Sequence, residues 1–200
     1  MPLIRFRVAD LPAMPWKNGG GSTREIACWP PGRGLNDFGW RASIATIAAP
    51  GPFSVFEGVD RVITLLDGDG VRLVDATGAI DHRLDTPGAP FGFSGDVGID
   101  CEMLGAASQD FNIMVRRGLW VAQVDRMTDA APVPAMPHGV LLALRGDWSV
   151  EGHAPLMQGD GLWWADEDLS GRLEPQAADE STPAPLLLAA SIRHCGTEAR

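Results

Sequence analysis

Val62-Ile-Thr-Leu-Leu-Asp-Gly-Asp-Gly-Val-Arg-Leu73 is the stretch of the chain that decides the fold. It begins with a run of apolar and β-branched residues, passes through Asp67-Gly-Asp-Gly70, and continues in a second apolar run. Glycine supplies the positive φ that a tight hairpin turn needs, and an aspartate side chain caps such a turn. The stretch therefore predicts two strands joined by a hairpin turn.

The same layout occurs a second time along the chain. Val140-Leu-Leu-Ala-Leu-Arg-Gly-Asp-Trp-Ser-Val150 again places a Gly-Asp turn after an apolar run, and further Gly-Asp turns stand at residues 95–96 and 159–160. A pattern repeated in both halves of a chain indicates one architecture built twice. The layout resembles the cupin barrel, in which a Gly-Asp turn leads into a core strand. We therefore predict an all-β, cupin-like jelly-roll fold of two linked cupin half-barrels, a bicupin.

The rest of the chain has the rhythm of such a fold. Short apolar runs bounded by Gly, Pro and Asp recur about every ten residues, and no segment has a long amphipathic helical period. Three prolines stiffen Ala130–Pro137, and proline is excluded from central strands because it has no N–H to donate. We expect an N-terminal barrel with a ligand pocket over residues 1–124, a proline-rich linker over 125–137, and a smaller C-terminal cupin-like part over 138–200.

Charge and composition exclude several classes of function. The formal net charge is −10, and such an acidic field repels a polyphosphate backbone. No apolar run reaches the roughly 20 residues of a membrane helix. Arg5 and Arg7 stand where a signal peptide would have its apolar stretch. We expect a cytoplasmic protein that binds neither nucleic acid nor membrane.

The metal-binding pattern of the catalytic cupins is missing from this sequence. Most catalytic cupins hold a metal with His, His, Glu and His, of which the first two form an HxH motif. The four histidines here, His82, His138, His153 and His194, are far apart in the chain, so they do not suggest converging imidazoles. The chain also has no phosphate-loop and no GxSxG pattern. We therefore expect no metal, no cofactor and no catalytic residue.

The first strongly polar segment is Trp16-Lys-Asn-Gly-Gly-Gly-Ser-Thr-Arg-Glu25. Lys17 is the only lysine of the chain, since every other long cationic side chain is arginine. Three successive glycines let backbone N–H groups approach a ligand closely and form an anion-receptive nest. The alternative is a flexible turn between two strands, and the sequence leaves both open.

Two further segments show polar alternation. In an extended Trp40-Arg-Ala-Ser-Ile44, Arg41 and Ser43 share one face. In Asp110-Phe-Asn-Ile-Met-Val-Arg116 the same alternation collects the polar residues, Asn112 among them, on one face. A polar strand face lies in solvent in most sheets and lines a pocket in some barrels, and the sequence leaves both open.

Arg61 opens the apolar run of residues 62–66, a position that indicates the rim of a barrel. A guanidinium there is suited to bind a carboxylate with two parallel hydrogen bonds. A structural ion pair with Asp60 or Glu57 is the alternative.

Together these segments resemble the HutD/Ves family. The resemblance covers residues 1–118 densely and the remainder loosely. It implies a bicupin fold and an association with histidine utilisation in bacteria, where the protein would sense or restrain the pathway by binding urocanate or a formylated or formiminated glutamate. The motifs that carry it are Trp16-Lys-Asn-Gly-Gly-Gly21, Thr23-Arg-Glu-Ile26, Trp40-Arg-Ala-Ser43, Gly51-Pro-Phe-Ser54, Asp60-Arg61, Phe93-Ser-Gly-Asp96 and Asp110-Phe-Asn-Ile-Met-Val-Arg-Arg-Gly118.

Residues that stand in these motifs are the candidates for a binding site. We assign Arg61 and Arg116 to carboxylates, Asn18 and Asn112 to ligand orientation, and Trp16 to an apolar wall. The complete set of expected ligand-binding residues is Trp16, Lys17, Asn18, Arg24, Arg61, Asn112 and Arg116.

Two alternatives to a metabolite-binding regulator remain open. One is an enzyme of histidine degradation, with Lys17 or Glu25 as acid or base. The other is a non-catalytic dimeric scaffold whose tryptophans, Trp148, Trp163 and Trp164, form an interface. The expected partner is a small anionic carboxylate metabolite, and a homodimer is left open.

Overall fold

The structure is a computed structural model that describes residues 3–167, 169–176 and 183–196. Strands dominate this part of the chain, and the described residues form a single helical element, the 3-10 turn Val8–Asp10. No helix in the described ranges has the length and apolar character that a membrane crossing requires. In chain order the strands are β1 (Leu3–Arg7), β2 (Ala13–Pro15), β3 (Gly21–Trp29), β4 (Trp40–Ile47), β5 (Gly51–Pro52), β6 (Val59–Asp67), β7 (Val71–Asp75), β8 (Asp81–Leu84), β9 (Pro90–Ser94), β10 (Ile99–Met103), β11 (Ser108–Arg116), β12 (Trp120–Met127), β13 (Ala131–Pro132), β14 (His138–Arg145), β15 (Trp148–Val150), β16 (Asp160–Ala165), β17 (Arg172–Pro175) and β18 (Leu186–His194).

The chain divides into two compact units. The first unit is residues 12–120, and the second unit is residues 1–11 together with residues 121–200. Each unit contains one larger and one smaller antiparallel sheet, so the predicted all-β, cupin-like bicupin is confirmed.

The first unit is a sandwich of a six-stranded and a four-stranded sheet. The larger sheet has the order β2-β3-β4-β11-β6-β9, and the smaller has the order β5-β10-β7-β8. One hydrophobic cluster joins the two sheets, with Ile63 and Leu65 from the larger sheet and Val71, Leu73 and Ile99 from the smaller one. This core supports the inner face of the larger sheet.

The second unit repeats the arrangement with a five-stranded sheet, β1-β16-β14-β18-β12, and a three-stranded sheet, β13-β17-β15. Trp148 and Trp164 are fully buried in the cluster between these sheets, beside Leu141 and Leu187. Trp163 is buried as well. The scaffold alternative therefore loses the exposed tryptophan surface on which it was based, because these rings are used in packing.

The unit boundaries differ from those expected from the sequence. Residues 1–11 belong to the second unit because β1 pairs with β16, with Leu3 opposite Trp164. The segment expected as a linker, 125–137, contains the end of β12 and all of β13. Its Pro132 is tolerated in a strand because β13 lies at the edge of its sheet, where a missing N–H breaks no ladder.

The Gly-Asp turn after β6 is not the hairpin that the sequence predicts. β6 and β7 lie in different sheets, so residues 68–70 carry the chain from one sheet of the sandwich to the other. Gly68 and Gly70 have φ of +92° and +82°, and a Cβ at either would overlap a backbone carbonyl oxygen. Asp69 caps a different segment, because its Oδ2 accepts a hydrogen bond from Ala106 N at 2.7 Å. The turn after β14 likewise connects two sheets.

We predict that Gly161→Ala destabilises the protein. A Cβ at this position in β16 would overlap the ring of Phe6 and lie 2.7 Å from the carbonyl oxygen of Leu141. Overpacking of this kind typically lowers the free energy of unfolding by about 1–3 kcal/mol, which denaturant titration measures. Gly98→Ala is the control, because nothing lies within 4 Å of its added Cβ. Equal stability of the two variants would contradict the packing argument.

Candidate functional site

A cavity of about 630 Å³ lies in the first unit, a size suited to a small-molecule ligand. Its walls combine cationic and amide side chains with aromatic and aliphatic ones. The lining residues are Met14, Pro15, Trp16, Lys17, Asn18, Thr23, Glu25, Arg33, Gly34, Leu35, Arg41, Ser43, Ala45, Ile47, Pro52, Phe53, Ser54, Phe56, Arg61, Ile63, Asn112 and Met114.

The register of the six-stranded sheet explains why the polar groups share one surface. Residues directly opposite each other on antiparallel strands point to the same face of the sheet. Two adjacent rows result, one of Glu25, Ser43, Asn112 and Ile63, and one of Arg41, Met114 and Arg61. The floor of the cavity is therefore built by β3, β4, β11 and β6, which are rigid, hydrogen-bonded strands.

Arg61 is a buried cation with no carboxylate at salt-bridge distance in the described part of the chain. Its Nη2 donates to Asn112 Oδ1 at 3.0 Å, whereas its buried Nε finds no hydrogen-bond partner there. Burial, with a smaller contribution from Arg41, lowers the pKa of Arg61 to about 10, so the guanidinium is charged at neutral pH. A charge removed from water is normally paired with an opposite charge, but among the described residues no carboxylate lies within salt-bridge distance of this one.

Aromatic rings enclose this guanidinium. Its central carbon lies 4.9 Å from the ring centroid of Phe93, 5.4 Å from that of Phe53 and 5.8 Å from that of Phe56. Cation–π attraction offsets part of the cost of desolvation, and the rings exclude water from around the charge. An anion that reached Arg61 would interact with it in a medium of low dielectric constant.

Arg41 is the second buried cation of the cavity, but it has a counter-ion. Its Nε donates to Glu25 Oε2 at 2.7 Å, and its Nη1 donates to Ser43 Oγ at 3.2 Å. The lining as a whole carries four cationic side chains against the single carboxylate of Glu25. A local excess of positive charge in a protein of net charge −10 favours an anionic ligand.

Trp16 forms one wall, and its orientation is fixed by two contacts. The indole Nε1 donates to Thr23 Oγ1 at 2.7 Å. On the other side the ring lies close to Gly21, where an added Cβ would be 3.0 Å from it and would overlap the carbonyl oxygen of Thr46. Gly21 is therefore required for the close approach of Trp16.

The glycine segment does not form the anion-receptive nest that its composition suggests. Gly19 N donates to Trp16 O at 3.0 Å, and Gly20 N donates to Asn18 Oδ1 at 3.0 Å. These two N–H groups are used within the turn itself, because the side chain of Asn18 caps the turn locally. The segment instead places Trp16, Lys17 and Asn18 along the cavity.

Five of the seven sequence-predicted residues line the cavity: Trp16, Lys17, Asn18, Arg61 and Asn112. The ion pair with Asp60 or Glu57 that was the alternative for Arg61 does not form among the described residues, and Asp60 instead accepts from Arg117 Nε at 2.8 Å. Two of the seven residues lie outside the cavity.

Arg24 and Arg116 are those two residues. Arg24 precedes Glu25 on β3, so alternation turns it to the opposite face of the sheet. Arg116 donates to two backbone carbonyls, from Nη1 to Glu57 O at 3.1 Å and from Nη2 to Asn36 O at 2.9 Å. The carboxylate role expected for Arg116 is therefore replaced by contacts with the protein's own loops.

The sequence-predicted set omits several lining residues. Arg41 and Ser43 could have been included, because the alternation in Trp40–Ile44 already places them on one face. Arg33 and Phe53 come from connecting loops, which have no periodicity to show the direction of a side chain. No periodicity indicates their place in the cavity, although Phe53 stands in the Gly51–Ser54 motif.

A buried carboxyl group lies one row further along the same face. Asp110 stands opposite Ala45 and Leu65 on the neighbouring strands and is fully buried. Its Oδ2 accepts from Ser108 Oγ at 3.4 Å, and its Oδ1 has no hydrogen-bond partner among the described residues. Burial raises the pKa of Asp110 to about 7, against a small opposing effect of the Ser108 hydrogen bond.

The histidines do not assemble into a metal centre in the described ranges, where no group of three or more His, Cys, Asp or Glu side chains could hold an ion. His82 stacks on Phe91 with ring centroids 3.8 Å apart. His138 Nε2 lies 3.3 Å from Asp166 Oδ1 in the second unit.

Comparison with known proteins identifies relatives of the chain. A sequence model of the HutD family matches residues 8–182. Protein Ves of Cronobacter sakazakii is 41% identical over 170 residues, which cover 84% of this chain and 90% of that protein. An uncharacterized 21.2 kDa protein in the hutC 3' region of Pseudomonas putida is 48% identical over 112 residues, 54% of this chain and 56% of that protein. The structure of HutD from Pseudomonas fluorescens SBW25 (formate condition) matches with a TM-score of 0.81 and 29% identity over 98% of this chain and 100% of that one.

We predict that Asp110→Asn stabilises the protein more at pH 8 than at pH 5. The pKa of Asp110 is about 7 in the folded protein and 3.8 as a reference for the unfolded chain. Between these values the folded state holds a proton that the unfolded state has lost, so the wild-type free energy of unfolding falls as the pH rises. The variant lacks this dependence, so its stability relative to the wild type should rise by roughly 2–3 kcal/mol between pH 5 and pH 8.

Chemical denaturation at pH 5 and pH 8 measures this difference, with Asp96→Asn as the contrasting variant. Arg117, Gly58 N and Ser94 hold the pKa of Asp96 down at about 2, so that carboxylate is ionised at both pH values. Its replacement is expected to lower stability equally at pH 5 and pH 8. An Asp110→Asn gain that did not change with pH would contradict the assignment.

Proposed function

Because this chain belongs to the HutD family, whose members are linked to histidine utilisation, we propose that its first unit binds a small carboxylate metabolite of that pathway. Binding in the cavity would report the level of the metabolite, which makes the protein a sensor or regulator of histidine utilisation. The observation that carries the proposal is Arg61, a buried guanidinium whose Nε has no hydrogen-bond partner and which has no carboxylate at salt-bridge distance in the part of the chain that the structure describes.

A carboxylate is the ligand group that best completes this guanidinium. It accepts two parallel hydrogen bonds from the arginine fork and neutralises the buried charge in the same step. Asn112 Oδ1 already holds Nη2 at 3.0 Å, so the fork is oriented before a ligand arrives. An oriented donor loses little conformational entropy on binding, which favours affinity for a small molecule.

The remaining lining suits the rest of such a metabolite. Trp16 and Phe53 offer flat apolar surfaces, while Asn18 and Ser43 offer hydrogen-bonding groups for an imidazole or an amide. Urocanate and formylated or formiminated glutamate combine a carboxylate with groups of this kind. The genomic place of the Pseudomonas putida relative, in the hutC 3' region, and the name of the Pseudomonas fluorescens structure support this choice of pathway.

We expect urocanate or N-formylglutamate at millimolar concentration to raise the melting temperature of the protein. A ligand at 100 times its Kd stabilises the folded state by about 2.7 kcal/mol, which is readily seen as a thermal shift. Glutamate, formate and histidine complete the panel. If none of these compounds shifted the melting temperature, the proposed function would be wrong.

We further expect Arg61→Met to abolish the ligand-induced shift without lowering the stability of the ligand-free protein. Methionine keeps the apolar stem among the phenylalanine rings and removes a buried charge, a change that is often neutral or stabilising. Arg83→Met is the matched control, because Arg83 is exposed on β8 and binds Asp85 instead of lining the cavity. If the ligand raised the melting temperature of Arg61→Met as much as that of the wild type, the ligand's carboxylate would bind at another site.

A further inference from the structure

Two loops supply the part of the cavity wall that the sheet does not provide. The first loop is residues 30–39, between β3 and β4, and it contributes Arg33 and Leu35 to the lining. The second loop is residues 53–58, between β5 and β6, and it contributes Phe53 and Phe56. The width of the cavity therefore depends on how these two loops are held.

A single side chain joins the two loops. Arg116, the last residue of β11, donates from Nη2 to Asn36 O in the first loop at 2.9 Å and from Nη1 to Glu57 O in the second loop at 3.1 Å. Its guanidinium carbon lies 5.4 Å from the ring centroid of Phe38, a cation–π contact with the first loop. Each loop thus receives one hydrogen bond from the same rigid group.

The next residue, Arg117, has a narrower role. It donates to Val59 O at 3.1 Å and binds Asp60 and Asp96, and Asp96 in turn accepts a hydrogen bond from Gly58 N at 2.6 Å. These contacts secure the end of the second loop alone. Arg117 therefore provides a neighbouring arginine of the same charge whose side chain makes no hydrogen bond or ion pair with the first loop in the described part of the chain.

The residues beneath the Arg116 fork connect it to the cavity. Phe38, Val59 and Met114 form a small buried cluster with Phe56 packed against it. Met114 and Phe56 also line the cavity. A displacement of either loop would therefore disturb the wall against which a ligand packs.

We propose that Arg116 is a positioning residue that sets ligand affinity by holding loops 30–39 and 53–58 in the arrangement that binds. The proposal rests on the proposed function of the cavity. The apparent Kd equals the intrinsic Kd divided by the fraction of molecules in the competent arrangement. Loss of the two guanidinium hydrogen bonds of Arg116 lowers the fraction of molecules in the binding arrangement. The side chains that line the cavity are unchanged.

Arg116→Lys tests this inference because it keeps the charge and removes the fork. A lysine ammonium is a point donor and does not reproduce the two fixed directions of a guanidinium. We expect the Kd for urocanate and N-formylglutamate to rise about tenfold by calorimetry, an effect of the size that loss of a charge-assisted hydrogen bond produces. The weaker affinity should come from a slower association rate, because fewer molecules have the two loops in the arrangement that binds. The dissociation rate should change little.

Hydrogen exchange of the ligand-free protein separates positioning from general destabilisation. In Arg116→Lys, exchange should accelerate in both loops 30–39 and 53–58 and remain unchanged in β4 and β11. In the control Arg117→Lys, acceleration should be confined to the second loop and the adjoining end of β6. Wild-type affinity in Arg116→Lys, or acceleration spread across the sheets, would overturn the inference.

Failure of the inference differs from failure of the proposed function. If wild-type protein bound no carboxylate, the function would be wrong, and the exchange pattern would still show whether Arg116 holds both loops. If wild-type protein bound the metabolite and Arg116→Lys bound it equally well, the function would stand and the positioning role would be wrong.

Discussion

The antiparallel register of β11 between β4 and β6 is the constraint on which the cavity depends. It places Asn112 opposite Ser43 on one side and Ile63 on the other, and it brings Arg41 and Arg61 to either side of Met114. Because side chains alternate along a strand, a slip of one residue would turn each of these groups to the other face. The hydrophobic cluster between the two sheets prevents such a slip, since Ile63 and Leu65 belong both to that cluster and to the face that carries the cavity.

The two buried arginines illustrate how context decides the role of a charge. Arg41 is held by Glu25 and Ser43, so it contributes to the architecture of the floor. Arg61 has aromatic rings and one amide for neighbours, and it keeps its charge despite burial. A protein tolerates an uncompensated buried cation only where other interactions over-determine the fold, and such sites concentrate where ligands bind.

The sequence predicts part of the site on strands and part of it in a turn, namely Arg61 and Asn112 on strands and Trp16, Lys17 and Asn18 before β3. Strand alternation places Arg41 and Asn112 on the cavity face, because a period of two fixes the direction of every side chain once one is known. The phenylalanines around Arg61 that come from residues 53–58, and Arg33 from residues 30–39, depend on loop paths that no periodicity encodes. The glycines of residues 19–21 leave a turn and an anion nest open, and the prolines of residues 132–137 predict a linker where the structure has part of an edge strand. Their backbone preferences fit several environments, and only tertiary pairing selects among them.

The discontinuous second unit has a consequence for synthesis of the chain on the ribosome. Residues 12–120 form a contiguous unit, so all of its strand partners are available once that stretch has emerged. β1 emerges earlier but pairs with β16, whose residues are translated after the first unit is complete. Domains generally fold as units during synthesis. The segment that forms β1 therefore has no β16 to pair with until the whole of the first unit has been synthesised.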